Sequence, residues 1–459
     1  MSGPVSLSEL RNAAMEAHRA GRLDEAMRGY ARYLVNRPVD GAIWSNLGAL
    51  HRAEKRHDQA VRAHARAHAV DPNAPSVLNN YANALTDVGR YDDAIALRRQ
   101  LLAAKPDDLA QKALLGRALR GKGDYQAAIE WLSAAHRAHP EDGEIELQLA
   151  FALLGQGDYG RGFEAYRARW RTDEMKKQSV PFPKWEGEDL SGKTVLVMPE
   201  QGFGDAVLMM RFLPWLKERA GRVICIAEKP MARLFAGLPG ADSVVTELAR
   251  DAKVDAYLNI MDLPRLGLSG RDDVPPPAQL TIPGDSRRRA QAIAAPYRDR
   301  LRIGVNWSGS VTYRANAFRS FSHREYLPFA DLSGVQLFSL YKGPGLDAFR
   351  ADGSDAFIVD AASTDRDFAD CAGLMQEMDL IITSDTATAH VAGSLGLPTW
   401  VVLHWDSFWV YIHAGSATPW YPSMRLFRQP APQDWDTPLG EVRAALEERI
   451  ASAGGKANG

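Results

Sequence analysis

Two rhythms of apolar and polar positions meet across residues 173–192. Before that stretch, small residues recur at a long fixed interval. Ala26, Ala60, Ala94 and Ala128 stand 34 positions apart, and so do Ala14, Gly48, Ala82 and Gly116. After it, apolar residues gather into short runs: Lys193–Met198 (KTVLVM), Arg222–Ala227 (RVICIA), Leu301–Asn306 (LRIGVN), Val335–Leu340 (VQLFSL), Asp379–Thr383 and Thr399–Leu403. Such runs, bounded by glycine- or hydroxyl-rich turns, suit parallel strands buried on both faces. The first part is therefore predicted to be helical, and the second to alternate strands with helices.

Pro38, Pro72, Pro106 and Pro140 keep the same 34-residue interval. That period, in three registers, is the period of tetratricopeptide repeats, each a pair of helices. Small residues let the paired helices approach closely, and proline stops the second helix. Gly21, Gly89 and Gly123 fall in the turn between helices, where a left-handed backbone suits glycine; Lys55 stands there in the second repeat. A degenerate fifth unit runs through Ala150, Gly157 and Gly162 and ends at Glu174 instead of a proline. The expected division is a repeat array over 1–172, an ordered linker over 173–192, an N-terminal Rossmann-like half over 193–285, a C-terminal one over 286–452, and a tail over 453–459. A stacked array offers a groove for an extended protein segment, the alternative being that it only braces the next domain. His64 and His68, at i,i+4 spacing, read as a solvated helix face rather than a metal pair.

The first run leads into Pro199-Glu200-Gln201-Gly202-Phe203-Gly204-Asp205 and an apolar helix expected over Ala206–Ala220, then the next strand: a βαβ unit. A glycine turn at a helix N-terminus favours negative ligands. Gly202 and Gly204 supply two glycines of a dinucleotide fingerprint, and Glu228 ends the next strand. Val207 occupies the third glycine position, which argues against NAD or FAD. Asp205 can cap its helix, or accept a proton from a hydroxyl.

In the second half, three strand ends carry Trp307-Ser308-Gly309-Ser310, Tyr341-Lys342-Gly343 and Ser384-Asp385-Thr386-Ala387-Thr388-Ala389-His390. Ligands of open parallel sheets sit beyond such ends. Ser308, Ser310, Thr386 and Thr388 can bond phosphate oxygens, with Arg319 or Lys342 neutralising them. His404, Trp405, Trp409 and His413 follow a strand end and are candidates to line a sugar pocket, whereas Trp420-Tyr421-Pro422 reads as packing.

Composition narrows the function. The 459 residues are 46% hydrophobic and 24% charged, with a formal net charge of −2, which gives no footprint for nucleic acid. Cys225 and Cys371 lie outside any metal-like spacing, which argues against a disulfide scaffold and a zinc site. No signal peptide or uncharged membrane-length run is apparent, so a cytoplasmic protein is expected.

The GFGD turn, the WSG segment, the Arg319-Ser320 pair and the SDTATAH–GSLGLP stretch together resemble the bacterial heptosyltransferase-type glycosyltransferases, above all their tetratricopeptide-linked members. The flanks FPKWEGEDLSGKTVLVMPEQGFGD and PWYPSMRLFRQ are similar to that subfamily, and the domain order distantly resembles protein O-GlcNAc transferase. The resemblance implies an α-solenoid followed by a GT-B-like α/β module of two Rossmann-like halves. It also implies an inverting transfer that needs no metal or cofactor, the nucleotide-sugar being substrate. Asp205 is then the general base, on an active-site loop with Gln201, Gly202 and Gly204. Donor contacts are implied at Trp307, Ser308, Gly309, Ser310, Arg319, Tyr341, Lys342, Asp385, Thr386, Ala387, Thr388 and His390. Arg319 stands where heptosyltransferases carry Lys, and Tyr341 where the repeat-linked relatives usually carry Gln. No DxD triplet in a strand context suggests metal-dependent GT-A chemistry. A protein acceptor held by the repeats is expected, with flagellin suggested by the resemblance. The alternatives are a lipopolysaccharide or polysaccharide acceptor, and a non-catalytic scaffold or export adaptor.

Overall fold

The structure, a computed structural model, describes residues 6–173, 175, 180–268 and 270–457. Glu174 lies outside them. The chain forms two compact units that part between Ala152 and Leu153.

The first unit is a tetratricopeptide solenoid. Its helices pair as α1 (Leu7–Arg19) with α2 (Leu23–Asn36), α3 (Gly41–Ala53) with α4 (His57–Val70), α5 (Pro75–Asp87) with α6 (Tyr91–Ala104), and α7 (Leu109–Gly121) with α8 (Tyr125–Ala138). Helix α9 (Gly143–Gln156) crosses the division between the units. Asp40, Asp108 and Asp142 accept the backbone N–H three residues on (3.1, 3.1 and 2.8 Å), and the same position in the third repeat is Ala74 followed by Pro75. The repeating prolines stand two residues before these caps. The small residues do what their spacing implies. Ala26, Ala60, Ala94 and Ala128 are buried, and a β-carbon at Gly48 would stand 2.7 Å from the His64 imidazole. His64 thus corrects the expectation of a solvated face: it is buried inside its repeat, and burial lowers its pKa to about 4.

The second unit opens with α10 (Tyr159–Ala165) and a 3₁₀ segment, Tyr166–Arg171. Its first sheet contains β1 (Thr194–Met198), followed by α11 (Phe203–Met209) and α12 (Leu213–Lys217), then β2 (Arg222–Ile226) and α13 (Lys229–Ala232), β3 (Ser243–Val245), and β4 (Ala256–Asn259) with α14 (Leu263–Gly267). The single helix expected over Ala206–Ala220 is instead broken by a 3₁₀ turn at Met210–Phe212. Pro214 explains the break, because it lacks an N–H and its ring would clash with the carbonyl four residues back. The strand order is β3-β2-β1-β4, all parallel, with Val197 in register with both Cys225 and Leu258. Residues 183–185 run beside β4, with Trp185 N–H donating to Tyr257 O at 2.7 Å.

The second sheet follows α15 (Gly284–Ala294). It comprises β5 (Leu301–Asn306), then α16 (Leu327–Ala330), β6 (Val335–Ser339), α17 (Leu346–Ala351), β7 (Ile358–Asp360), α18 (Phe368–Gln376), β8 (Leu380–Ser384), α19 (Ala387–Ser394), β9 (Thr399–Leu403), β10 (Met424–Arg428) and α20 (Asp436–Ala457). The order is β10-β9-β8-β5-β6-β7, again parallel. Ile303, Val305, Leu337, Ile382 and Val402 form its core with Val442 and Leu446 of α20. Both sheets are Rossmann-like, and each reverses its strand order once, between β1 and β4 and between β5 and β8.

Candidate active site

The site is built at the carboxyl ends of these strands. In the first half the chain leaves β1 through Glu200 and Gln201, whose φ of +64° places a non-glycine residue in the left-handed region. Gly202 then caps α11, and the Asp205 carboxylate reaches back to accept its N–H at 3.0 Å. Asp205 is half-buried. Desolvation raises its pKa to about 6; the Gly202 N–H opposes that, the nearby Asp385 charge adds to it, and Arg319 opposes it more weakly.

In the second half β5 and β8 are neighbours, so the Trp307–Ser310 loop and the start of α19 emerge side by side. Asn306 ties them together, its amide donating to Thr386 Oγ1 (3.1 Å) and Thr388 Oγ1 (2.8 Å). The loop is pinned by Asn316, which accepts from Gly309 N–H at 3.1 Å and donates to Ser308 Oγ at 3.0 Å; Ser320 Oγ also donates to Ser308 Oγ. A β-carbon at Gly309 would stand 3.0 Å from Arg319 Nη2 and 3.2 Å from Thr386 Cγ2. Arg319 is thereby brought to Asp385, 3.9 Å from Nη1 to Oδ2, and its guanidinium lies over the Tyr313 ring. Asp385 is buried, and the Thr386 side chain leaves the N-terminus of α19 uncapped.

The two halves meet where α11 packs on α19. A β-carbon at Gly204 would stand 2.7 Å from His390 Cδ2 and 3.4 Å from Ala387 Cα. His390 Nδ1 is bonded to the Tyr421 hydroxyl at 3.1 Å, and burial lowers the imidazole pKa to about 4, so it is neutral at pH 7. The first turns of two helices thus face each other, with Asp205 on one and Asp385, Thr386, Ala387 and His390 at the other.

Of the residues singled out from the sequence, Gly202, Gly204, Asp205, Arg319, Asp385, Thr386, Ala387 and His390 belong to this cluster, with Ser308 and Gly309 on the loop beside it. Others are engaged elsewhere. Trp307 and Tyr341 are buried in the core with ring centroids 4.8 Å apart, and the Tyr341 hydroxyl accepts from Gly345 N–H. Lys342 Nζ donates to the Asp365 carbonyl, Ser310 pairs with Thr312, and Thr388 is held by Asn306. Gln201 donates its side-chain amide to the Tyr166 hydroxyl. Trp409 is buried and stacks edge-on against Phe163 and Trp420, and His413 Nδ1 bonds Gly155 O at 3.0 Å. Trp420 packs as expected, while Tyr421 does more by orienting His390.

Three contributors escaped the sequence reading. Asn306 closes an otherwise apolar strand run. Arg211 stands alone among apolar residues, and its buried guanidinium donates to Trp420 O at 2.8 Å and lies over the Tyr421 ring. Tyr411 is buried beside the His390 ring, centroids 6.3 Å apart, and the Asp385 charge adds to the burial that raises its pKa. In the first two, a polar residue in an apolar stretch was the available signal; Tyr411 gave none.

Comparison with known proteins bears on the two parts unequally. Tetratricopeptide repeat models match residues 11–77 and 51–118. Protein FlbA of Caulobacter vibrioides is 27% identical over 319 residues, a match that spans 63% of this chain and 53% of FlbA. The chain therefore spans about half the length of that curated relative. Among solved structures, MamA residues 41-end from Desulfovibrio magneticus RS-1 is 19% identical, covering 37% of this chain and 94% of that one at a TM-score of 0.32. A tetratricopeptide repeat protein from Parabacteroides merdae is 17% identical, covering 36% and 68% at a TM-score of 0.33. Among the described residues no helix is long and apolar enough to cross a membrane.

Proposed function

We propose that the α/β region is an inverting glycosyltransferase of GT-B type. It moves a sugar from a nucleotide-activated donor to a hydroxyl on a protein engaged by the repeats. The observation that carries this reading is the meeting of the first turns of α11 and α19, which brings together a carboxylate with a pKa of about 6, the Arg319–Asp385 pair and an uncapped helix N-terminus.

In this reading Asp205, ionised at neutral pH yet more basic than an ordinary carboxylate, takes the proton of the acceptor hydroxyl. The acceptor oxygen bonds to the anomeric carbon as the bond from that carbon to the donor phosphate breaks, and the electron pair leaves with the nucleotide. One displacement inverts the anomeric centre. Arg319 and the N–H groups opening α19 stabilise the charge that develops on the departing phosphate. Neutral His390, oriented by Tyr421, is available to hydrogen-bond the donor without adding charge. Repeat arrays bind protein segments, which favours a serine or threonine acceptor, and the resemblance of the whole chain suggests flagellin.

The test is a screen of the full chain against UDP-, GDP-, ADP- and CMP-sugars by thermal shift, followed by release of free nucleotide with wild type and Asp205→Asn. Binding of one donor class, with nucleotide release that depends on Asp205, supports the reading. A chain that binds none and releases none is a scaffold, and the proposal fails.

A further inference from the structure

The crevice beyond β1 and β4 in the first sheet is filled from within the chain. Glu200 follows β1 and Asp262 follows β4, and both carboxylates are buried. Between them lies the guanidinium of Arg169, from the 3₁₀ segment after α10. Arg169 donates to Glu200 through Nε (2.6 Å) and Nη2 (2.9 Å), and to Asp262 Oδ1 through Nη2 (2.6 Å). Lys184 adds a second cation to Asp262 at 2.9 Å. Arg169 also donates to Tyr166 O at 3.1 Å and lies over the Tyr166 ring, so the two residues are tied into one piece.

That piece ends on the loop that carries Asp205. The Gln201 side chain donates to the Tyr166 hydroxyl and approaches Glu200 Oε1 at 3.5 Å, while its backbone is held at a φ of +64°. A glutamine in the left-handed region persists only where its surroundings impose it. Gly202 follows directly, and its N–H is the one that Asp205 accepts.

We propose that Tyr166 and Arg169 are positioning residues for Asp205. Through Gln201 and Glu200 they hold the β1–α11 turn in the one conformation that sets Asp205 against α19. The transferring unit then begins at the segment following α10, well before β1, and this inference rests on the glycosyltransferase reading. An ion pair that only glued the fold together would have no need of the Tyr166 hydroxyl.

Tyr166→Phe in the full chain removes that hydroxyl and little else. Amide hydrogen exchange at Gly202 is expected to accelerate about tenfold, and kcat to fall on the order of three- to tenfold with the donor KM unchanged. Adding Gln201→Gly, which takes up the left-handed turn without a tether, should restore both slow exchange and kcat. Wild-type exchange in Tyr166→Phe overturns the proposal, as does a loss that Gln201→Gly does not repair. Should wild type transfer no sugar at all, the enzymatic reading falls while the Gly202 exchange still decides whether Tyr166 holds the turn.

Discussion

Gly204 of the first half lies against the His390 ring of the second, so close that a β-carbon at Gly204 would stand 2.7 Å from His390 Cδ2. The glycine of the GFGD turn is thus explained by the crossing of α11 over α19 and not by backbone conformation. His390 cannot swing away cheaply, being buried and bonded to Tyr421. Gly204→Ala should therefore cost about 1–3 kcal/mol of stability, the usual range for overpacking. Donor affinity should fall with it, because Ala387 and Asp385 move with the same helix. A chemical-denaturation midpoint equal to wild type would show that the halves separate freely at this point.

Much of this arrangement was legible in the sequence. The 34-residue period fixed the pairing of helices in the repeats, and the strand runs gave β5 and β9 to the residue. The segments around Gly204 and Asp385 were recognisable as strand-to-helix turns. What could not be read was which strand ends are neighbours. Only the order β8-β5-β6 shows that Asp385 shares the switch point with Ser308 while Lys342 lies one strand further out. Aromatic residues misled for a related reason: Trp307, Tyr341 and Trp409 follow strands, yet their area is spent in cores. The Arg169–Glu200 pair was invisible because its partners lie 31 positions apart with no periodic signal.

Arg319 pairs with Asp385, the residue two before α19, at 3.9 Å. Arg319→Ala removes a charged hydrogen-bond donor, a class worth roughly 1.5–3 kcal/mol, so nucleotide affinity should fall about ten- to a hundredfold. It also strips a buried carboxylate of its counter-charge, so some loss of thermal stability is expected as well. Calorimetric titration of the donor nucleotide at constant pH checks the first point; an unchanged dissociation constant would remove Arg319 from the donor site.

Lys55 occupies the turn position that is glycine in the other repeats, and it keeps the same backbone, with φ at +57° beside +73°, +74° and +89° at Gly21, Gly89 and Gly123. The stacking of α3 on α4 therefore imposes the left-handed turn on a residue that resists it. A left-handed non-glycine residue costs about 1–2 kcal/mol, partly offset by the greater freedom glycine has when unfolded. Because Lys55 is exposed, Lys55→Gly sacrifices no packing and should stabilise the repeats by about 0.5–1 kcal/mol. Equal or lower stability in urea titration would mean that the lysine makes a compensating contact.

Asp205 separates the catalytic reading from simple helix capping. Asp205→Asn keeps an oxygen to accept the Gly202 N–H, so the cap should survive. The carboxylate has a folded pKa of about 6, above its ordinary value of 3.8, and burial is the first cause of the rise. The sign of the linkage follows: folding favours the protonated form, so the contribution of this one group is fully present below about pH 4 and is lost as pH rises through 6. Asp205→Asn has no proton to lose. Its stability relative to wild type should climb between pH 4 and pH 6 and then level off. Activity should move the other way, since an amide cannot take the acceptor's proton; loss of a general base costs about 10²–10⁴-fold in rate. Wild-type kcat should likewise rise with pH to about 6 and reach a plateau. The decisive pair of measurements is sugar transfer followed by mass spectrometry and melting curves across pH 4–8. Lost transfer in a variant at least as stable as wild type at pH 7 assigns the proton to Asp205, whereas lost transfer with a collapsed melting point leaves only the cap.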